Sequence, residues 1–126
     1  MRQIYSYDEV YMLDKVLKIA SLIDFYGALL TEKQRRCLEL HYLEDWSLAE
    51  IAGEFKVSRQ AVHDILRRSE QLLVSYEERL GLIERYEHIE ASIRELDECV
   101  RGLEEWPQKV LITAKIRALM NDFKEG

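Results

Sequence analysis

The chain has 126 residues and a formal net charge of −6. Ala, Glu, Lys, Leu and Arg supply 61 residues, a share typical of long helices rather than of a β-sandwich or barrel. The 48% hydrophobic content excludes a disordered chain. The acidic balance argues against a nonspecific nucleic-acid coat, because such binding is driven by phosphate neutralisation.

Cysteine usage and the N-terminal segment indicate a compartment. Two cysteines are too few for a disulfide scaffold, which favours a reducing environment. The first residues lack the apolar run of a signal peptide. The most apolar stretch, residues 10–30, contains four charged side chains and is therefore not a membrane span. The sequence predicts an all-helical cytoplasmic protein.

Residues 10–30 predict a first helix with an apolar stripe whose members are spaced alternately by four and three. Fifteen of these 21 residues are apolar, and one small domain seldom covers so wide an arc. Either this helix is central in the chain's own fold, or it meets a second subunit. We expect a homodimer whose interface includes Met12, Val16, Ile19, Ile23 and Tyr26.

Capping signals predict the next three helices. Thr31 and Gln34 fit a capping box at the start of a helix that runs to about Leu43. Ser47 and Glu50 fit a second box, which starts a short helix over residues 48–55. Ser58 caps a fourth helix. Two capped starts eleven residues apart leave room for two helical turns and a bend, the spacing of a helix-turn-helix.

The helix-turn-helix pattern assigns an inner and an outer face to the fourth helix. Val62 and Ile65 hold the helix down, and Lys56 stands in the turn where glycine is usual. The outward side chains of the first turns are those that reach base edges in the major groove. The candidate DNA-binding residues, with two further cations that contact phosphates, are Ser58, Arg59, Gln60, His63, Asp64, Arg67, Arg68, Arg35 and Arg36.

The fourth helix has no obvious stop, and Gly81 is only a weak point in it. Beyond it the chain shows a heptad seam that Gly102 and Pro107 end, followed by a last helix over about residues 108–123. The seam packs either within the chain or between chains. It consists of two columns spaced by seven, Leu82, Ile89, Leu96 and Leu103 in one and Tyr86, Ile93 and Val100 in the other.

These patterns predict an N-terminal arm over residues 1–9, a helix-turn-helix domain over 10–80 and a C-terminal helical extension over 81–126. No enzyme is expected. Cys37 and His41 lie four apart on a helix, but a structural zinc site needs four ligands, so we expect no metal. His63 and Asp64 are adjacent on a helix and point about 100° apart, which excludes a relay. No cofactor motif is present in the sequence.

Several separate strings occur in order at the spacing of region 4 of sigma factors, the promoter-reading helix-turn-helix. They are residues 30–35, 38–43, 47–52 and 57–62. More narrowly, the chain resembles the YlxM/p13-like family of small bacterial proteins that lack the rest of a sigma factor. The strings that carry this resemblance are residues 24–26, 29–34, 42–43, 45, 58–62 and 76–82. The resemblance covers roughly residues 20–85.

The resemblance implies a DNA-binding regulatory protein with double-stranded DNA as its partner. It also implies a link to the signal recognition particle pathway. The competing hypothesis is an interaction module that binds the particle's GTPase or its RNA and never binds promoter DNA. Residues 31–70 hold seven Lys and Arg against eight Asp and Glu, and this near-neutral balance favours the alternative.

Overall fold

The structure is a computed structural model that describes the backbone of residues 7–125 and the side chains of residues 13–123. These residues form six α-helices and no strand, which confirms the predicted all-α class. None of the described helices has the length and apolarity needed to cross a bilayer. The helices are α1 Tyr7–Tyr26, α2 Glu32–Leu38, α3 Leu48–Phe55, α4 Arg59–Leu80, α5 Leu82–Arg101 and α6 Pro107–Glu125.

The chain divides into two compact units between Ile83 and Glu84. The first unit contains α1 to α4 and the start of α5, and the second contains the rest of α5 and α6. Most of the predicted N-terminal arm lies outside the described residues, and α1 already begins at Tyr7.

The end of α1 differs from the prediction of one helix over residues 10–30. The α-helix stops at Tyr26, and Gly27–Leu29 form a single 3₁₀ turn that is closed by the Leu30 N–H on the Gly27 carbonyl oxygen at 3.1 Å. Glycine is a poor helix former, and Thr31 must adopt extended backbone to cap the next helix. The 3₁₀ turn ends the α-helix at Gly27 and leads the chain into the extended backbone of Thr31.

Both predicted capping boxes are confirmed. The Thr31 hydroxyl accepts the Gln34 N–H at 3.2 Å, and the Gln34 side chain accepts the Thr31 N–H at 3.0 Å. Ser47 and Glu50 make the same exchange at 3.1 and 3.3 Å. The predicted second helix reaches Leu43, but its last five residues, Glu39–Leu43, form a π turn.

Three of the five residues predicted as a dimer surface are instead part of the chain's own core. Ile19, Ile23 and Tyr26 are 4%, 8% and 0% exposed, because α1 packs against α4 and the π turn. Val16 is half-buried, and the side chain of Met12 lies outside the described residues. The burial of Ile19, Ile23 and Tyr26 agrees with the alternative in which this helix is central in the chain's own fold. Among the described side chains of α1, the large apolar ones that stay exposed are a different pair, Leu13 and Leu17.

Gly81 ends α4 rather than weakening it, because its φ of +59° places it in the left-handed region. The buried Tyr26 hydroxyl lies beside this break, where it donates to the Glu77 carboxylate at 2.5 Å and accepts the Leu82 N–H at 3.1 Å. The Ile83 N–H donates to the same Glu77 oxygen at 3.0 Å. Two of the free N–H groups at the start of α5 are thereby satisfied. Burial raises the pKa of Tyr26.

The second unit is an antiparallel hairpin of α5 and α6. At one end the Tyr86 and Phe123 rings stack at 4.4 Å, and at the other the Lys109 ammonium donates to the Leu103 carbonyl oxygen at 2.8 Å. The heptad seam is split between two environments. The column with Ile93 and Val100 is buried against Ile116 of α6, whereas the column of Leu82, Ile89, Leu96 and Leu103 is 38–54% exposed.

Candidate nucleic-acid interface

The turn between α3 and α4 has helix-turn-helix geometry. Lys56 caps α3 in the left-handed conformation, with φ 56° and ψ 46°. The Val57 N–H then donates to the Ala52 carbonyl oxygen at 3.1 Å. The buried faces meet through Ile51 and Ala52 of α3 and Val62 of α4, which are 0%, 7% and 0% exposed. These apolar contacts place the first turns of α4 with their polar side outward.

The first turns of α4 present the side chains predicted to contact bases, which we call the base-reading face. The Ser58 hydroxyl accepts the Ala61 N–H at 3.0 Å and thereby caps the helix. Asp64 is half-buried, and the other members are exposed. The base-reading face comprises Ser58, Arg59, Gln60, His63 and Asp64, and it continues into the exposed Arg67 and Arg68.

The cations and the single acid of this surface differ in their pairing. Among the side chains of residues 13–123, Arg59, Arg67 and Arg68 make no ion pair, so their charges are available to a ligand. The Gln60 amide donates to the Asp64 carboxylate at 3.2 Å. His63 Nδ1 lies 3.9 Å from the same carboxylate oxygen. The acid therefore orients its neighbours while lowering the positive potential locally.

The two arginines of α2 are in a different electrostatic situation. The Arg35 guanidinium lies 3.0 Å from the Glu32 carboxylate and 3.5 Å from that of Glu39. Arg36 lies 3.1 Å from the Glu44 carboxylate. These partners lie in α2, in the π turn that follows it and at Glu44, the residue after that turn. The charges of Arg35 and Arg36 are thus balanced within one segment, by acids that lie outside α4.

One cation of the turn escaped the sequence prediction. The sequence pattern marks Lys56 only as a departure from glycine, but its side chain is exposed shortly before α4 begins. Within the described part of the chain it has no ion-pair partner. The signal that could have identified it is the lysine itself, because a cation that replaces glycine in the turn lies beside the base-reading helix.

A polar cluster at the middle of α4 fixes how this helix is held. The Tyr42 hydroxyl of the π turn donates to the Glu70 carboxylate of α4. Lys15 of α1 lies 3.9 Å from the Glu70 carboxylate and 5.8 Å from the centroid of the Tyr42 ring. Burial raises the pKa of Tyr42. Three segments of the first unit are thereby joined at one carboxylate.

The spaced Cys37 and His41 have ordinary structural surroundings. Cys37 is fully buried, and burial raises its thiol pKa, which disfavours the thiolate that would bind a metal. His41 Nδ1 lies 3.0 Å from the Trp46 carbonyl oxygen. Among the described residues no three His, Cys, Asp or Glu side chains cluster as a metal site would require.

The chain was compared with known proteins. The profile of the UPF0122 family, described as "Putative helix-turn-helix protein, YlxM / p13 like", matches residues 13–113. A UPF0122 protein of Halalkalibacterium halodurans is 52% identical over 89 residues, which cover 71% of this chain and 82% of the relative. For one of Exiguobacterium sibiricum the identity is 59% over 75 residues, covering 60% and 71%. For one of Exiguobacterium sp. it is 45% over 109 residues, covering 86% and 96%.

Proposed function

Because this chain belongs to the UPF0122 family of YlxM/p13-like helix-turn-helix proteins, we propose that it is a cytoplasmic, non-enzymatic regulatory protein that binds double-stranded DNA through α4. The observation that carries the proposal is the exposed start of α4. A capped helix presents a base-reading face there, and the three arginines on and beside that face have no ion-pair partner among the described residues. A helix of this kind fits the major groove of DNA.

Each side chain has a role that its chemistry suits. Arg59 donates to guanine and Gln60 bonds adenine, the bidentate contacts that distinguish bases in the major groove. Arg67 and Arg68 bind phosphates and position the helix without reading sequence. The Ser58 hydroxyl accepts a backbone N–H but keeps its own proton for a phosphate oxygen. Lys56 adds a further phosphate contact from the turn.

Asp64 makes the proposed interface selective rather than strong. Its carboxylate accepts one N–H of the Gln60 amide at 3.2 Å, which leaves the second N–H and the amide oxygen to bond a base. The same carboxylate repels phosphates. The repulsion weakens binding to every sequence, whereas the orientated Gln60 amide favours sites that present a matching base. We infer a weak general affinity for DNA and a marked preference for particular sites.

We propose further that this regulation acts in the signal recognition particle pathway, as the resemblance to the YlxM/p13-like family implies. A second candidate function within that pathway is an interaction module that binds the particle's GTPase or RNA. The observation that favours it is charge. Residues 31–70 are close to neutral, and Arg35 and Arg36 are occupied by acids of their own segment. Typical DNA-binding domains are basic.

Titration of the full chain separates these candidates. The purified protein is titrated at two salt concentrations against a random DNA duplex, the particle RNA and the particle GTPase. A duplex selected from a randomised library then serves as the cognate site. Binding to duplex DNA that weakens steeply with salt supports the proposal. Saturable binding to the GTPase or RNA with none to any duplex contradicts it and supports the alternative.

Substitutions in α4 test base reading directly. We expect Arg59→Ala to cost about 1–3 kcal/mol on the selected duplex and much less on random DNA. Arg67→Ala should weaken binding to all duplexes alike and lower the salt dependence. The matched control is Arg79→Ala, which removes an exposed arginine from the last turn of the same helix. Equal losses for Arg59→Ala on both duplexes would exclude base reading by Arg59.

A further inference from the structure

The hairpin formed by α5 and α6 has an uncovered apolar face. On α5, Ile89 and Leu96 lie four residues before and three residues after the buried Ile93, and they are 38% and 50% exposed. On α6, Ile112 and Leu119 stand in the same relation to the buried Ile116, and they are 37% and 51% exposed. We call these four side chains the hairpin face.

The four side chains lie on one side of the hairpin. Positions four before and three after a given residue are displaced from it in the same rotational direction, by about 40° and 60°. The two helices are antiparallel and turn their buried isoleucines toward each other. An equal rotation away from the contact therefore leads to the same side of both helices, where the four side chains form a continuous strip.

The opposite side of α5 is built differently. Glu90 and Asp97 flank Ile93 there, and each is held by an arginine of the next turn. The Arg94–Glu90 and Arg101–Asp97 pairs measure 2.5 and 3.0 Å. One side of α5 thus carries ion pairs, whereas the other carries exposed aliphatic side chains at heptad spacing. Such a strip is typical of the inner surface of a four-helix bundle.

Two charges at one end of the hairpin indicate what covers this strip. Arg85 and Asp122 adjoin the stacked Tyr86 and Phe123 rings, so they lie at the same end. They border the hairpin face on its two opposite outer edges. Both are exposed, and neither makes an ion pair with any side chain of residues 13–123. Within one hairpin, the positive charge of Arg85 and the negative charge of Asp122 therefore do not pair with each other.

We propose that the hairpin face binds a second copy of the same face, so that two chains associate as a four-helix bundle. With the two-fold axis along the hairpin, α5 of one chain lies against α6 of the other. Arg85 then faces the partner's Asp122, and the symmetry repeats the pair. The alternative two-fold, which sets α5 against α5, pairs no opposite charges at these positions. This interface does not depend on whether α4 binds DNA.

Sedimentation equilibrium of the full chain at micromolar concentration tests the proposal. We expect a wild-type dimer and, for Leu96→Glu, a dissociation constant at least about 30-fold higher, as for a central contact of an interface. The matched control is Val110→Glu, because Val110 is 71% exposed but lies on the other side of α6. A monomeric wild type, or a dimer that Leu96→Glu leaves intact, overturns the proposal. Circular dichroism checks that the helices persist.

A charge exchange tests the orientation and remains informative if Leu96→Glu loses helicity. Arg85→Asp should weaken the dimer about 3- to 10-fold, because two surface pairs become repulsions. Adding Asp122→Arg to the same chain should restore association. Failure of the second substitution to rescue the first overturns the arrangement of α5 against the partner's α6.

Discussion

The two units of this chain are both helical, but they bury their apolar side chains to different degrees. Among the side chains of residues 13–123, thirteen hydrophobic ones are buried in the first unit and three in the second. In the first unit α4 is contacted by α1, α2 and α3, so its apolar stripe is enclosed from several directions. In the hairpin α5 and α6 pack on each other along one line, and the adjoining column of apolar side chains stays exposed.

The comparison shows how the number of packed segments decides what a surface can bind. Where several helices enclose the core, the first turns of α4 keep polar side chains on the outside, and there the first unit offers charged groups to a ligand. In the hairpin, one of the two apolar columns of the heptad seam remains exposed to solvent. Charged ligands are therefore expected at α4 and apolar ones at the hairpin.

The largest expected effect compares the two cores. Leu73→Ala removes a fully buried side chain of α4 and should lower the free energy of unfolding by about 2–5 kcal/mol. Ile116→Ala, in the hairpin, should cost less, because a site with few packed neighbours can collapse around the cavity. Urea unfolding followed by circular dichroism measures both. Equal losses would mean that the cores are alike in strength, contrary to the burial pattern.

A smaller effect is expected at the end of the first core. Tyr26→Phe deprives the Glu77 carboxylate and the Leu82 N–H of a hydrogen bond and should cost about 1–3 kcal/mol. Tyr76→Phe is the matched control, because its ring lies 6.0 Å from that of Tyr26 and its hydroxyl has no hydrogen bond among the described residues. A loss for Tyr76→Phe as large as that for Tyr26→Phe would exclude the hydrogen bonds as the cause.

The same tyrosine links stability to alkaline pH. Burial and the Glu77 carboxylate raise the pKa of Tyr26 above its ordinary value of 10.0, so the folded chain holds the phenol proton more tightly than the unfolded chain. The contribution is complete below pH 10 and is lost as the pH rises through the folded pKa. Tyr26→Phe should reduce this alkaline loss. An unchanged pH dependence would show that other groups cause it.

The smallest effect sharpens the comparison at two left-handed caps. Lys56 and Gly81 have φ values of 56° and 59°. Lys56→Gly should stabilise the first unit by up to about 1 kcal/mol, because it relieves a strained conformation. Gly81→Ala should destabilise it by about 1–2 kcal/mol, because a Cβ there meets no atom within 4 Å and backbone strain alone acts. Thermal unfolding should give opposite signs, and equal signs would refute the strain argument.

Local patterns were sufficient for much of the fold. Both capping boxes, the cap at Ser58 and the left-handed turn at Lys56 join residues at most four apart, so each is visible in a short string of sequence. The exposure of the base-reading face followed from helical period alone, since the inner positions are occupied by apolar side chains. The loop that ends α5 and the start of α6 at Pro107 were likewise marked by Gly102 and Pro107.

The tertiary structure decided which apolar stripe meets which partner. Ile19 and Ile23 had the spacing of a dimer seam, but α4 and the π turn of the same chain cover them. The heptads predicted two columns, and only packing on α6 determined that Ile93 belongs to the buried one and Leu96 to the exposed one. The hydrophobic effect is nondirectional, so a periodic stripe shows that a side must be covered and leaves the covering element to segments distant in sequence.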